Sequence, residues 1–130
     1  MKCLNTTFLI DLLRNDENAL KKAKELDETG GAFTTEINVF ELVYGIYRSK
    51  GLDQKLRLSQ TEKLFSRLMV FPSNHAAALK GGEILGKLAK EGKELNILDG
   101  LTAAIALTHG CFTIIIEILN ILVLCLKVQV

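Results

Sequence analysis

The sequence predicts an α/β domain of three layers, a central parallel sheet flanked by helices. Two observations carry this reading. Short β-branched or apolar segments alternate with longer amphipathic ones, as strands do when crossover helices join them. Cap residues and glycine pairs stand at the changes between the two kinds of segment. With 130 residues, 48 % hydrophobic and 24 % charged, the chain fits one domain with one core, residues 1–130.

The elements follow in order. Residues 2–9 are apolar and β-branched and read as a buried strand. A helix begins over 11–14. Residues 17–28 form a second helix, with Ala19, Leu20, Ala23 and Leu26 on one face and charges on the other. Gly30-Gly31 stops it, and 32–35 form a short strand. Thr35 or Asn38 caps a helix running to Arg48, with Phe40, Val43, Tyr44 and Tyr47 expected on its buried side. A helix over 54–68 comes next, then a strand at 69–71, because the residue before Pro72 favours extended geometry. Ser73 or Asn74 caps a helix to about Gly92, where Gly81, Gly82 and Gly86 suit close packing. Asn96 caps a helix ending at Gly110, and a last apolar segment follows.

Composition narrows the function. A net charge of +1 gives no global basic excess, so any contact with nucleic acid rests on a local patch. Lys21, Lys22, Lys24, Lys50, Lys55 and Arg57 are candidates for one, although a solvated helix face explains most of them. Cys3, Cys111 and Cys125 lie in apolar runs without metal-site spacing, consistent with buried thiols in a reducing cytosol. No secretory signal is legible, and a cytoplasmic location is expected. The apolar run over 111–128 carries Glu117 near its middle, which favours a buried strand over a membrane helix. No membrane partner is expected.

Acids and amides stand at the edges of apolar elements. Asp99 follows Asn96 at the opening of a helix, where it suits the helix dipole or a cleft held rigid by the small residues behind it. Glu41 lies inside an apolar helical run and requires a partner, a metal or a surface position. Glu36 reads as a dipole or capping contact, Asp11 as structural, and Asn5 as an amide capping backbone groups.

Three blocks then carry a resemblance. Leu4-Asn5-Thr6-Thr7-Phe8-Leu9-Ile10-Asp11 is similar to the opening of the PIN-domain nucleases, which begins with aspartate-threonine. Thr34-Thr35-x-Ile37-x-x-Phe40-Glu41-Leu42-x-x-Gly45 resembles their second block. Gly92-x-x-Leu95-x-Ile97-Leu98-Asp99-x-Leu101-x-Ala103-Ala104-x-Ala106 resembles their third, and within the family the blocks resemble the VapC-type toxins. The resemblance spans roughly residues 2–112. It implies a PIN-like fold, a Mg²⁺- or Mn²⁺-dependent endoribonuclease, an RNA substrate, a cognate antitoxin and a homodimer. By position it implies Glu41 and Asp99 as catalytic metal ligands. Asn5 falls where the family has its first acidic ligand, and Glu117 is the only acid near the place of the fourth.

The departure at Asn5 raises a competing expectation, a catalytically inactive PIN-fold module that pairs with an antitoxin or binds RNA without cleaving it. A membrane-associated tail over 111–126 is a third.

Overall fold

The computed structural model describes residues 2–51, 53–110 and 114–115. Four parallel strands form one sheet in the order β3-β2-β1-β4: β1 Lys2–Leu4, β2 Ala32–Thr35, β3 Met69–Phe71 and β4 Ile114–Ile115. Cys3 pairs with Phe33 on one side and Ile114 on the other, and Phe33 pairs onward with Met69. Helices make the parallel connections: α1 Thr6–Leu13, α2 Glu17–Glu28, α3 Glu36–Arg48, α4 Gln54–Phe65, α5 His75–Lys90 and α6 Ile97–Thr108.

Alternation along the strands divides the core in two. Cys3 and Phe33 face α5 and α6 and pack with Ile84, Leu88, Ala103 and Ala106. Leu4 faces the other way and packs with Phe8, Leu9, Ala19, Leu26 and Leu42 of α1, α2 and α3. The result is the expected three-layer parallel architecture.

Three local expectations need correction. The first strand ends at Leu4, not Leu9, because Asn5 accepts a hydrogen bond from the Phe8 N–H at 3.0 Å and starts a helix there. Phe8 and Leu9 are buried as that helix's inner face. The α3 aromatics lie outward: Phe40, Tyr44 and Tyr47 are each more than half exposed, while Asn38, Leu42 and Ile46 are buried. The four-residue step from Asn38 through Leu42 to Ile46 defines the inner stripe, so large apolar side chains alone misidentified the face. Of the α5 glycines, only Gly81 meets a close neighbour. A Cβ there would lie 3.2 Å from Leu101 and 3.4 Å from Ala104, whereas Gly82 and Gly86 face open space.

Among the glycines, Gly100 makes the closest approach between α5 and α6. A Cβ on Gly100 would fall 2.5 Å from Leu85 Cδ2 and 2.9 Å from its Cγ. Gly100 thus fixes the seating of α6, and with it the adjacent Asp99. Among the described residues, no helix is long and apolar enough to cross a membrane.

Candidate metal centre

The site grows from the C-terminal ends of β1 and β2, where parallel sheets open their ligand crevices. Each strand passes directly into a helix through a capping residue. Asn5 caps α1, and Thr35 caps α3 in a reciprocal capping box with Asn38. These caps bring Thr6, Glu41 and Asn38 together.

Asn38, 1 % exposed, is the hub. Its Oδ1 accepts from the Thr35 N–H at 3.2 Å and the Thr35 hydroxyl at 2.8 Å, and lies 3.0 Å from the Thr34 hydroxyl. The single Thr34 proton is also 2.9 Å from the Leu4 carbonyl oxygen, so this hydroxyl ties β2 to β1 at their ends. On its other side Asn38 donates through Nδ2 to Thr6 Oγ1 at 3.1 Å, and Thr6 donates to Glu41 Oε1 at 2.8 Å. The relay is directional. Because Asn38 fills an acceptor position on the Thr6 oxygen, the one Thr6 proton is left for Glu41.

Asp99 enters from α6, which packs against α3. Asn96 caps that helix through Leu98 N–H at 2.9 Å and Asp99 N–H at 3.4 Å, which fixes the first turn. Partial burial pushes Asp99 above the usual aspartate range. Glu41 is also held above its usual range, first by burial and then by the Asp99 charge, with the Thr6 hydrogen bond opposing both. The effect of the Asp99 charge on Glu41 places the two carboxylates in one electrostatic neighbourhood. Neither takes part in an ion pair with a lysine or arginine among the described residues.

Two partly buried carboxylates, one of them raised by the charge of the other and neither ion-paired with a base among the described residues, make a donor set suited to a hard divalent cation. Mg²⁺ commonly uses one or two carboxylates and keeps several waters, so Glu41 and Asp99 fit this chemistry. Asn5 fits it less well. It is 4 % exposed, and its only side-chain oxygen caps α1 through Phe8. An aspartate would offer a second oxygen after capping; the asparagine offers an amide donor instead.

The remaining sequence candidates separate clearly. Glu36 is exposed in the first turn of α3, as expected of a dipole contact. Asp11 lies within α1, and its carbonyl accepts from the Asp16 N–H at 3.0 Å in the turn that follows. Glu117 lies outside the described residues. Among the described residues, no three His, Cys, Asp or Glu side chains group as a metal site. Sequence reasoning treated Asn38 only as an alternative cap and overlooked Thr6 and Thr34 as site residues. The Thr35-x-x-Asn38 spacing was the available signal for the hub, because it is the spacing of a reciprocal cap.

Comparison with known proteins agrees with this architecture. The PIN domain family profile matches residues 2–115. The tRNA(fMet)-specific endonuclease VapC of Shigella flexneri is 26 % identical over 107 residues, covering 82 % of this chain and 79 % of its own. The structure of DNA-bound VapBC from Salmonella typhimurium contains a chain with a TM-score of 0.75 and 27 % identity, covering 86 % of this chain and 83 % of that one. VapBC2 from Rickettsia felis, solved with a promoter DNA fragment, gives a TM-score of 0.81 at 19 % identity, covering 92 % and 90 %. With a family match running from β1 into β4, and VapC-type proteins similar in both sequence and fold, this chain belongs to the PIN-domain family.

Proposed function

We propose that the chain is a VapC-type endoribonuclease, the toxin of a toxin–antitoxin pair, with Glu41 and Asp99 binding a Mg²⁺ or Mn²⁺ ion. The observation that carries this reading is the Glu41–Asp99 pair. Both carboxyls are pushed above their usual ranges by burial, Glu41 also by the Asp99 charge, and a divalent cation would relieve that strain on the charged forms. Such a cation supplies an activated water and stabilises charge on a scissile phosphate.

The chain's own residues prepare the site. Thr6 anchors Oε1 of Glu41, leaving Oε2 as the atom for a cation or a proton. Asn38 holds the Thr6 proton on Glu41, and the Asn96 cap holds the backbone beneath Asp99. Glu117 is assigned a supporting acidic role by its place in the sequence alone. An antitoxin partner follows from the VapBC complexes among the structural neighbours. A homodimer is consistent with the outward aromatics of α3.

The test is cleavage of RNA by the full chain with Mg²⁺ or Mn²⁺. Cleavage that EDTA and Asp99→Asn both abolish supports the proposal; none even with Asn5→Asp defeats it. A second reading, an inactive module that binds antitoxin or RNA without cutting, is favoured by one specific observation. The oxygen of Asn5 already serves the α1 cap. Metal-dependent cleavage by the wild type above a Glu41→Gln, Asp99→Asn control rules it out.

A further inference from the structure

A second cleft, with Glu41 but not Asp99 among its lining residues, lies between the end of α1, the outer half of α3 and α4. Its volume is about 310 Å³. Its walls include Arg14 at the end of α1, Arg48 of α3 and Arg57 of α4, and among the described residues Glu41 is the only carboxylate lining it. Three cations against one acid is a concentrated basic patch in a chain whose net charge is +1. Among the described residues, none of these arginines forms an ion pair with a carboxylate. Arg57 bonds the neutral Gln60 at 3.3 Å, and the Arg48 guanidinium lies 5.4 Å from the centre of the Tyr44 ring.

Gly45 supplies an independent observation. It lies inside α3 and lines this cleft, one turn beyond Glu41. Glycine in a helix interior costs about 1 kcal/mol relative to alanine. Neither of the usual compensations is found among the described residues, because Gly45 has no positive φ and a Cβ there would meet none of their atoms within 4 Å. The missing side chain instead keeps the cleft open beside Glu41.

We infer that this cleft is a phosphodiester subsite, in which Arg14, Arg48 and Arg57 hold the backbone of a single-stranded RNA as it leaves Glu41. The inference rests on the ribonuclease reading for the identity of the strand. Arginine suits the role because its planar fork binds phosphate oxygens in pairs and stays charged. Arg48 lies seven positions beyond Glu41 on α3, about 10 Å of helix, so one strand can span both. These arginines position the strand and leave the reaction to the acid pair.

The experiment is fluorescence anisotropy with the full chain and a labelled single-stranded RNA oligonucleotide in EDTA, across a salt series. Binding is read without cleavage, so its result is separate from whether the enzyme cuts. Arg14→Gln, Arg48→Gln and Arg57→Gln each lower the slope of log affinity against log salt by about 0.7, the increment for one phosphate contact on a single strand. Gly45→Leu fills the cleft without removing charge and weakens binding severalfold, and its helical backbone accepts the new side chain. Circular dichroism verifies that each variant folds.

No binding by wild type, or affinities and salt slopes unchanged in Gly45→Leu and the combined arginine variant, overturns the subsite. So does an acidic polypeptide that displaces RNA and is itself lost in the arginine variants, since the cleft would then be a protein-docking site. Cleft-dependent binding with no metal-dependent cutting keeps the subsite and removes the enzyme; cutting with cleft-independent binding does the reverse.

Discussion

Replacing Gly100 by alanine tests how firmly α5 fixes the helix that carries Asp99. The new Cβ would meet Leu85 Cδ2 at 2.5 Å and Cγ at 2.9 Å. Favourable carbon contacts lie near 3.5–4.0 Å, so the leucine must retreat by roughly 1 Å. Rotating its tip does not suffice, because Cγ is itself too close. Overpacking of this kind costs about 1–3 kcal/mol, against a gain of up to about 1 kcal/mol from alanine's helix propensity. Gly82→Ala is the matched control, since a Cβ there meets nothing within 4 Å and retains the propensity gain alone. The two variants are therefore expected to move in opposite directions, separated by about 1–3 kcal/mol. Urea unfolding reads the separation as a difference in midpoint at constant slope. Adding Leu85→Ala to Gly100→Ala should cost less than the sum of the single changes, because the pair is coupled. If Gly100→Ala proves as stable as Gly82→Ala, the close approach does not constrain α6, and the account of how Asp99 is held fails.

The remaining predictions concern the polar groups around the same helix. The ordinary values are 4.5 for Glu41 and 3.8 for Asp99, and both are raised on folding, so the folded chain binds these protons more tightly than the unfolded one. Their ionisation should erode stability as pH rises through and above that range. Asp99→Asn should therefore match wild type near pH 4 in thermal melts and exceed it at pH 7, whereas Mg²⁺ should stabilise wild type at pH 7 and not at pH 4. Asn5→Asp keeps an oxygen for the α1 cap and adds a second, so calorimetry should register at least about tenfold tighter Mn²⁺ binding, the scale of changes around metal ligands. Thr102 is 1 % exposed, one turn beyond Asp99, and its hydroxyl has no hydrogen-bond partner among the described residues. Thr102→Val should raise stability by about 1 kcal/mol in the same urea assay, as expected for removing a buried hydroxyl without a hydrogen bond.

Sequence read most clearly where a single local rule decided the outcome. The Asn74 and Asn96 caps, the Gly30-Gly31 break and the extended residue before Pro72 each marked an element boundary through backbone chemistry. It read poorly where two local rules competed. Residues 6–9 satisfy a strand's hydrophobic pattern, yet Asn5 caps a helix over them. On α3 the aromatics outweigh Asn38 in hydrophobicity, but Asn38 faces inward because its hydrogen bonds are satisfied there. Glu41 and Asp99 were legible as acids at the edges of apolar elements. Their convergence was legible only through the family resemblance, because physically it depends on how α6 packs against α3. The Gly100 approach to Leu85 is likewise a tertiary fact, invisible until two helices are brought together.

The order of the strands has a consequence for synthesis. β1, translated first, lies between β2 and β4, and its Cys3 waits for Ile114 to complete the sheet on one side. Glu41 likewise waits for Asp99, 58 positions later, before their carboxylates can share one neighbourhood. Contacts this distant along the chain form late and together. A partly translated chain therefore has the Thr6–Glu41 hydrogen bond within reach long before it has the acid pair. Whatever chemistry that pair supports is withheld from the nascent polypeptide and begins only after α6 has emerged and docked.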